Sequence, residues 1–160
     1  MEFDSLKKAE ELLKKAYKLQ MNGNVKKAIE LYEESIELYP TAEAYTFMGW
    51  AYSFEKEYIR AIELCKIAIE VDPDFGNPYN DIGAYLVELK RFDEAIPWLK
   101  KAMKAKRYES HHFPHLNYAR ILEKQGKWLE ALEEYKATLR IEPSYELAEK
   151  AYWNLVKKVN

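Results

Sequence analysis

The stretch IRAIELCKIAIEVDP, at residues 59–73, occurs in related form three more times along the chain. The other versions are KKAIELYEESIELYP at residues 26–40, DEAIPWLKKAMKAKR at 93–107 and LEALEEYKATLRIEP at 129–143. Each phrase has an alanine at its third position, and Ala28, Ala61, Ala95 and Ala131 are 33, 34 and 36 residues apart. Apolar residues recur every three or four positions within each phrase, as in an amphipathic helix. The chain is therefore an array of repeated helical units.

A second phrase precedes each of these helices. Two examples are Tyr45-x-x-Met48-Gly49-x-x-Tyr52 and Tyr79-x-x-Ile82-Gly83-x-x-Leu86. A small residue recurs at one position of this phrase in every copy, as Ala16, Gly49, Gly83 and Ala119. A small side chain where two helices cross lets them approach closely. The two phrases together predict four pairs of antiparallel helices.

Turn-forming residues separate the periodic segments. Breaks fall at Asn22-Gly23-Asn24, at Tyr39-Pro40, at residues 72–76 and at Gln125-Gly126, and each combines turn formers with a residue that disfavours a helix. No alternating run is long enough to compete as a half-buried strand. The pattern predicts an all-α protein of nine helices.

The repeat resembles that of the tetratricopeptide repeat (TPR) family, a helix-turn-helix unit of roughly 34 residues with the pattern W-x2-L-G-x2-Y, then A-x3-F, then P. The second repeat carries the pattern best, at Tyr45, Met48, Gly49, Tyr52, Ala61, Cys65 and Pro73. The third departs from it at Arg107, which stands where proline is expected, and two extra residues precede the fourth. The resemblance covers about residues 8–144.

The resemblance implies a right-handed superhelical solenoid of antiparallel helix pairs, with all of 1–160 in one TPR domain. The predicted repeats are about 9–41, 42–75, 76–111 and 112–144. A final amphipathic segment, about 145–159, has Ala148, Ala151, Tyr152 and Leu155 on one side and mostly polar residues on the other. A repeat array exposes an apolar face at its end unless a terminal helix covers it, so this segment is predicted to be a cap.

Composition excludes several function classes. The chain is 48% hydrophobic and 32% charged, with formal net charge −2, so it is neither disordered nor suited to holding a nucleic-acid backbone. One cysteine, Cys65, excludes an internal disulfide and lies on a core-facing stripe, which predicts a buried thiol. No apolar run approaches a membrane span or a signal peptide. We therefore expect a cytoplasmic protein with no membrane partner.

Catalytic motifs are missing. The five glycines are isolated, so no phosphate-binding loop exists, and no serine or cysteine has the surroundings of a nucleophile. Paired glutamates have lysines three or four residues away, as on solvated helix faces. We expect no enzyme activity and no cofactor.

All three histidines, His111, His112 and His115, fall in the lengthened linker before the fourth repeat. His112 and His115 have the spacing of a metal-binding pair, and Glu109 could contribute. Against a metal, Pro114 puts the preceding residues outside regular helix and no second ligand pair occurs elsewhere. An exposed loop with one packed histidine, or a loop that touches a ligand, are the other interpretations.

The resemblance also implies a binding groove, because the first helices of such repeats line a concave surface. In this family, some positions of each first helix face this surface and are not used for packing the helix pair. In this chain those positions give the predicted partner-binding residues Tyr17, Phe47, Trp50, Phe54, Asn77, Asn80, Asp81, Asn117, Arg120 and Lys124. The same positions also select Leu13, Gln20, Met21, Thr46, Ala84, Glu88 and Leu116.

This groove would run from an aromatic end, through amides and acids, to a basic end. Rigid aromatic rings and arginine are the residue types that anchor protein interfaces. Asn80 and Asn117 could hydrogen-bond the backbone of an extended peptide, and Arg120 or Lys124 could meet an acidic ligand residue. Alternatively, Phe47, Trp50 and Phe54 only fill the contact between successive helices.

The device by which cochaperone members of the family clamp a carboxylate is missing. The clamp can be aligned with this chain from the first repeat or from the second. Neither alignment places the required lysine and arginine side chains at the clamp positions, which hold, for example, Leu13, Tyr17 and Asp81. We therefore predict a non-enzymatic adaptor or scaffold that binds an unidentified peptide or partner protein, but not an acidic chaperone tail. The alternatives are a scaffold that binds copies of itself and a metal-binding protein that uses the linker His111–His115.

Overall fold

The computed structural model describes all residues, 1–160, and contains nine helices. They are α1 (Glu2–Met21), α2 (Val25–Leu38), α3 (Ala42–Phe54), α4 (Tyr58–Val71), α5 (Asn77–Glu88), α6 (Phe92–Met103), α7 (His112–Lys124), α8 (Trp128–Ile141) and α9 (Glu146–Val159). The predicted all-α architecture and the number of helices are confirmed. Judged by length and apolarity, none of the nine could serve as a transmembrane segment.

The helices form an all-α superhelix in two layers. Each odd-numbered helix from α1 to α7 packs against the helix that follows it, and α9 packs against α8. The odd-numbered helices also contact one another in succession, α1 with α3, α3 with α5 and α5 with α7. They therefore make up a continuous inner layer, while the even-numbered helices back them.

Small residues hold the pairs together, as the sequence predicts. Ala16, Ala28, Ala61 and Ala119 are completely buried. A methyl group added at Gly49 would lie 3.0 Å from the carbonyl oxygen of Ala61 in the partner helix. The helices are therefore too close at this crossing for a larger side chain.

The first helix begins earlier than the predicted repeat boundary. Glu2 and Asp4 lie in its first turn, where carboxylates favour helix formation. Ala9 is buried, and its carbonyl oxygen accepts a 2.7 Å hydrogen bond from the hydroxyl of Ser35 in α2. This bond fixes α1 against α2 about two turns from its start.

Two linkers are joined to each other across the array. The Gly76 N–H donates to the carbonyl of Arg107 at 3.0 Å, and the Arg107 N–H donates to the carbonyl of Asp74 at 2.9 Å. The linker between α4 and α5 is thereby paired with the linker between α6 and α7. Gly76 is required here because an added Cβ would lie 2.1 Å from the ring of Tyr108.

The Arg107 side chain strengthens this linker pairing. Its guanidinium donates to Asp72 at 2.6 Å and to Glu43 at 2.8 Å, and it lies 4.3 Å from the centre of the Phe75 ring. This arginine, at the position where the repeat pattern expects proline, therefore ties the end of the third repeat to the second.

The terminal helix covers the end of the core. Ala148 and Leu155 of α9 are completely buried in a cluster with Leu116 and Tyr135. The outer side of α9 is less polar than predicted, because Leu147 and Trp153 are 56% and 54% exposed. Helix α9 therefore keeps some apolar surface open to solvent.

Candidate functional site

The inner layer carries three adjacent cavities, which we name by their chemistry. The aromatic end lies between α1 and α3, the acidic pocket between α3 and α5, and the basic end between α5, α7 and the C-terminal helices. Their order along the array follows the order predicted for the groove.

The aromatic end is a cavity of about 510 Å³ lined by Leu13, Lys14, Tyr17, Lys18 and Phe47. The Tyr17 ring lies 5.9 Å from that of Phe47 and 6.1 Å from that of Trp50. Phe54 continues the row, with its ring edge-on to Trp50 at 5.1 Å. One connected group of rings therefore spans α1 and α3.

These rings combine packing with exposure. Phe47 packs against the main core, and its ring is 6.5 Å from that of the buried Tyr32. Tyr17 and Phe54, in contrast, remain 41% and 48% exposed. The interpretation of the cluster as helix-to-helix packing thus fits Phe47, whereas Tyr17 and Phe54 leave apolar surface open to solvent.

The acidic pocket is a cavity of about 320 Å³ lined by Trp50, Ser53, Tyr58, Asp81, Ala84, Tyr85 and Glu88. Asp81 is half-buried, and its burial raises the pKa of its carboxyl group to about 7, although a hydrogen bond from Asn80 acts in the opposite direction. The hydroxyl group of Tyr85 is buried in the pocket wall without a hydrogen-bond partner. The pocket therefore holds two polar groups whose interactions are incomplete.

The basic end is the largest of the three, at about 770 Å³, and is lined by Ala84, Val87, Glu88, Asn117, Arg120, Glu123, Lys124, Trp128, Tyr135 and Lys158. Arg120 is exposed and takes part in none of the ion pairs of the structure. Lys124 lies 5.4 Å above the Phe92 ring, and Lys158 is 3.6 Å from Glu123. Arg120 is thus the cation most available to an outside group.

Five residues that line the basic end were missed from the sequence, and three of them lie outside the first helices of the repeats. Trp128 belongs to α8 and Lys158 to α9, whereas the predicted groove uses only first helices. The one available signal was the row of lysines on the polar side of the terminal helix. A pattern defined within one repeat does not reveal that the cap folds back to this cavity.

The predicted pair of free amides is instead a link between two helices. Asn80 is only 8% exposed, and its Oδ1 accepts a 3.0 Å hydrogen bond from Nδ2 of Asn117. Asn117 remains half-buried and still lines the basic end. Of these two residues, only Asn117 therefore has an amide group within reach of a bound peptide.

Three further positions expected in the groove are buried. Gln20 accepts a 2.9 Å hydrogen bond from the Tyr32 hydroxyl, and Thr46 donates one of 2.7 Å to the carbonyl of Ala42. Leu116 belongs to the C-terminal core cluster. Each inner helix packs against its own partner and against the neighbouring inner helices, which makes the open face narrower than predicted.

Asn77 lies apart from the three cavities. It lines a separate cleft of about 280 Å³ with Glu43, Phe47, Phe75, Arg107, Glu109 and Ser110, where the two linkers are paired. This cleft is at the edge of the concave face where α3 and α5 begin. Of the predicted residues, only Phe47 belongs to both this cleft and the aromatic end.

The prediction that His111–His115 form a linker outside regular helix is wrong, because α7 begins at His112 and therefore contains His112 and His115. The three histidines do not converge. His111 Nε2 is 3.0 Å from the carbonyl oxygen of Ala105, while His115 Nδ1 is 2.6 Å from Glu134. His112 stacks on Phe113, with ring centres 4.2 Å apart, and burial lowers the pKa of its imidazole. No group of three or more His, Cys, Asp or Glu side chains is arranged to hold a metal ion. The metal-site alternative thus lacks a set of ligands.

The predicted buried thiol is confirmed. Cys65 is free and completely buried in the main core, and burial raises the pKa of its thiol well above the ordinary value. A neutral thiol enclosed in this way is a packing group and not a nucleophile.

Sequence comparison finds TPR relatives. Two family models, both described as tetratricopeptide repeat, match residues 42–75 and 79–107. Small glutamine-rich tetratricopeptide repeat-containing protein 2 of Mycosarcoma maydis is 32% identical over 102 residues, which are 62% of this chain and 29% of that protein. Its counterpart from Saccharomyces cerevisiae is 32% identical over 97 residues, 60% of this chain and 28% of that one. The chain thus spans less than a third of the length of these curated relatives.

Solved structures share the fold over nearly the whole chain. PilF of Pseudomonas aeruginosa superposes with a TM-score of 0.90 at 20% identity, covering 97% of this chain and 70% of that one. YrrB, described as a TPR protein with an unusual peptide-binding site, gives a TM-score of 0.67 at 22% identity, covering 92% of this chain and 75% of that one. At these identities the likeness concerns the solenoid fold alone.

Proposed function

Because this chain belongs to the tetratricopeptide repeat family, we propose that its concave face holds a peptide segment of a partner protein. The family and the fold make the chain a protein–protein interaction module. Its proposed role is that of an adaptor or scaffold, which holds a partner without chemical change. The partner segment would lie across the aromatic end, the acidic pocket and the basic end.

The observation that carries this proposal is the exposed part of the aromatic cluster. Tyr17 and Phe54 leave large apolar surfaces open at 41% and 48% exposure, while their neighbours Phe47 and Trp50 are fixed by contacts to other rings. Rings that are already fixed lose little conformational freedom on binding and bury a large area. Such a surface suits the apolar anchor residues of a peptide.

The basic end supports a direction for the bound segment. Arg120 is exposed and unpaired, and Lys124 and Lys158 line the same cavity. An acidic residue of the partner would form a charge-assisted hydrogen bond with Arg120. A segment with apolar anchors at one end and an acidic residue towards the other therefore fits the face in one orientation.

A pull-down from lysate of the source organism tests the proposal, with retained proteins identified by mass spectrometry. The variant Tyr17→Ala/Phe54→Ala removes the two most exposed rings of the aromatic cluster. Its matched control is Ile67→Ala/Leu129→Ala, which removes exposed apolar side chains from α4 and α8. Unchanged helicity is verified for both variants by circular dichroism.

The expected result is a partner that wild type and the control retain and the ring variant loses. Retention of the same partner by all three proteins would contradict binding on the concave face. Loss from the control alone would assign the interaction to the even-numbered helices instead.

A second candidate function is self-assembly, which the outer side of α9 favours. Leu147 and Trp153 are exposed there at the end of the array, where a second copy could continue the stack. Sedimentation equilibrium over a range of protein concentrations tests this function. A mass that rises with concentration in wild type and stays monomeric in Trp153→Lys would support it.

A further inference from the structure

We propose that the acidic pocket receives one basic side chain, a lysine or an arginine, of the partner segment, with Asp81 as its counter-charge. This inference rests on the proposed function, since it names the chemistry of one residue of a peptide held on the concave face. It adds a determinant of specificity at the centre of the array, between the aromatic anchors and the basic end.

The pocket has negative charge that the chain does not neutralise. Asp81 and Glu88 both line it, and neither takes part in any of the ion pairs of the structure. A half-buried carboxylate with no cation nearby is costly, whereas one that pairs with a bound cation is stabilised. A ligand can therefore supply the positive charge that the acidic pocket lacks.

A second, independent feature is the hydroxyl group of Tyr85. Tyr85 is only 6% exposed, and its hydroxyl has no hydrogen-bond partner. The neighbouring hydroxyl of Ser53 donates its proton to the carbonyl of Trp50 at 2.6 Å. The Tyr85 oxygen is therefore an unused acceptor buried in the pocket wall, and a guanidinium or ammonium group, which carries only donors, would satisfy it if the ring shifted towards the pocket on binding.

The walls of the pocket suit a cation as well. Trp50, Tyr58 and Tyr85 line it, and the rings of the two tyrosines are 6.0 Å apart. The faces of aromatic rings attract cations, most strongly when the site is partly desolvated. A divalent metal ion is a poorer fit, because no group of three or more carboxylate, His or Cys ligands is assembled anywhere in the chain.

Asp81 is the group of the acidic pocket whose ionisation changes near neutral pH. Burial, and secondarily the charge of Asp81, raises the pKa values of Cys65 from α4, Tyr85 from α5 and Tyr108 from the α6–α7 linker. All three therefore stay neutral at physiological pH. Tyr58 from α4 and Glu88 from α5 also face the pocket. With its own pKa raised to about 7, Asp81 is only partly ionised at neutral pH, and a bound cation would stabilise the ionised form.

Peptide selection from a random dodecapeptide phage library tests the inference. Wild type, Asp81→Asn and the control Glu70→Gln, which removes an exposed carboxylate on α4, are used as baits in parallel. We expect lysine or arginine to be enriched in peptides selected by wild type and by the control, but not by Asp81→Asn. Asparagine keeps the size of the side chain and removes its charge, and thermal melting verifies that this variant folds.

Titration of the best wild-type peptide gives a second readout that does not depend on a protein variant. Replacing its basic residue by methionine is expected to weaken binding to wild type by about tenfold, the size of one partly desolvated cation–π or ionic contact. For a peptide with blocked ends and no histidine, affinity should rise by about tenfold between pH 6 and pH 8, because Asp81 must be ionised to pair. Asp81→Asn should abolish both effects.

The outcomes separate the two proposals. Selected peptides without basic enrichment, or an affinity unaffected by the methionine replacement, would overturn the basic-side-chain inference and leave the peptide-binding function standing. Failure of wild type to enrich any peptide would overturn both. Enrichment of basic residues that persists in Asp81→Asn would also overturn the inference, because the cation would then be held elsewhere.

Discussion

At the scale of single residues, Asp81 couples the stability of the fold to pH. Its pKa is 3.8 in an exposed setting and about 7 in the fold, so between these values the folded state binds more protons than the unfolded state. The free energy of unfolding therefore falls as pH rises from about 4 to 7 and is constant above that range with respect to this group.

We predict that Asp81→Asn stabilises the protein at pH 8 but not at pH 4. The full pKa difference corresponds to about 4 kcal/mol, which partial exposure of the carboxylate reduces to about 2 kcal/mol. Urea unfolding at the two pH values measures the difference between variant and wild type. An equal effect of the substitution at pH 4 and pH 8 would show that Asp81 has an ordinary pKa.

Gly83 is the second residue whose substitution has a predictable effect on the stability of the fold. A methyl group there would lie 2.4 Å from Cδ2 of Leu99, which is completely buried and has little room to move. Gly83→Ala gains about 1 kcal/mol of helix propensity but incurs about 1–3 kcal/mol of overpacking. We expect a net loss of about 1 kcal/mol in urea unfolding. A variant more stable than wild type would mean that α5 and α6 separate without cost.

At the scale of elements, the paired linkers bind the second and third repeats together. Arg107→Ala removes the hydrogen bonds to Asp72 and Glu43, and because these groups are partly exposed we expect a loss of about 1 kcal/mol. Hydrogen exchange at the Gly76 and Arg107 amides should become faster. The neighbouring exposed residue provides the control, and Lys106→Ala should leave exchange and stability unchanged.

The same linker pairing also has a pH dependence of opposite sign to that of Asp81. Hydrogen bonds from Arg107 hold the pKa of Asp72 below its ordinary value. The stabilisation is therefore fully present above pH 3.8 and is lost as the pH falls through the lowered pKa. The destabilisation by Arg107→Ala should accordingly be smaller at pH 2 than at pH 7.

The helices could be predicted from the sequence because each one depends on a local pattern. Ala61 and Gly49 identify a helix crossing from their spacing alone, and the structure places them there. The bond from Arg107 to Glu43 joins residues 64 positions apart, and nothing periodic marks it. A departure from the repeat pattern was visible at Arg107, but its partners were not.

The order of the candidate site residues along the array could be predicted from the sequence, whereas the burial of several of them could not, for a similar reason. The order of aromatic, acidic and basic regions follows from side chains that each helix carries by itself. Burial of Asn80, Gln20 and Thr46 depends instead on how closely neighbouring helices pack, which a single repeat does not specify. The contribution of Lys158 depends on where the terminal helix folds back.

At the scale of the whole molecule, the apolar core is divided into unequal parts. The main cluster extends from α1 to α6 with one residue of α7, and a smaller cluster joins α7, α8 and α9. In a repeat array each unit is stabilised by its neighbours, so damage at one end spreads only as far as the next stable interface. The three C-terminal helices should therefore be able to open while the rest stays folded.

Leu155→Ala tests this division. Truncating this completely buried side chain should cost about 2–5 kcal/mol, and hydrogen-exchange mass spectrometry should show faster exchange in α7–α9 with α3–α5 still protected. Val159→Ala, which shortens a side chain already exposed at the end of α9, is the control. Uniformly faster exchange along the whole chain would show that the two clusters unfold as one.

The bonds that Arg107 and Gly76 make between two linkers also bear on kinetics. Under the proposed function, these bonds would fix the curvature of the concave face before a partner arrives, and we therefore expect no slow opening step before capture. Encounter should then proceed at the ordinary rate for a rigid docking surface, about 10⁵–10⁷ M⁻¹s⁻¹, for good and poor segments alike. Discrimination among partners would then depend on residence time, and we expect a correct segment to differ from a wrong one in how long it stays bound.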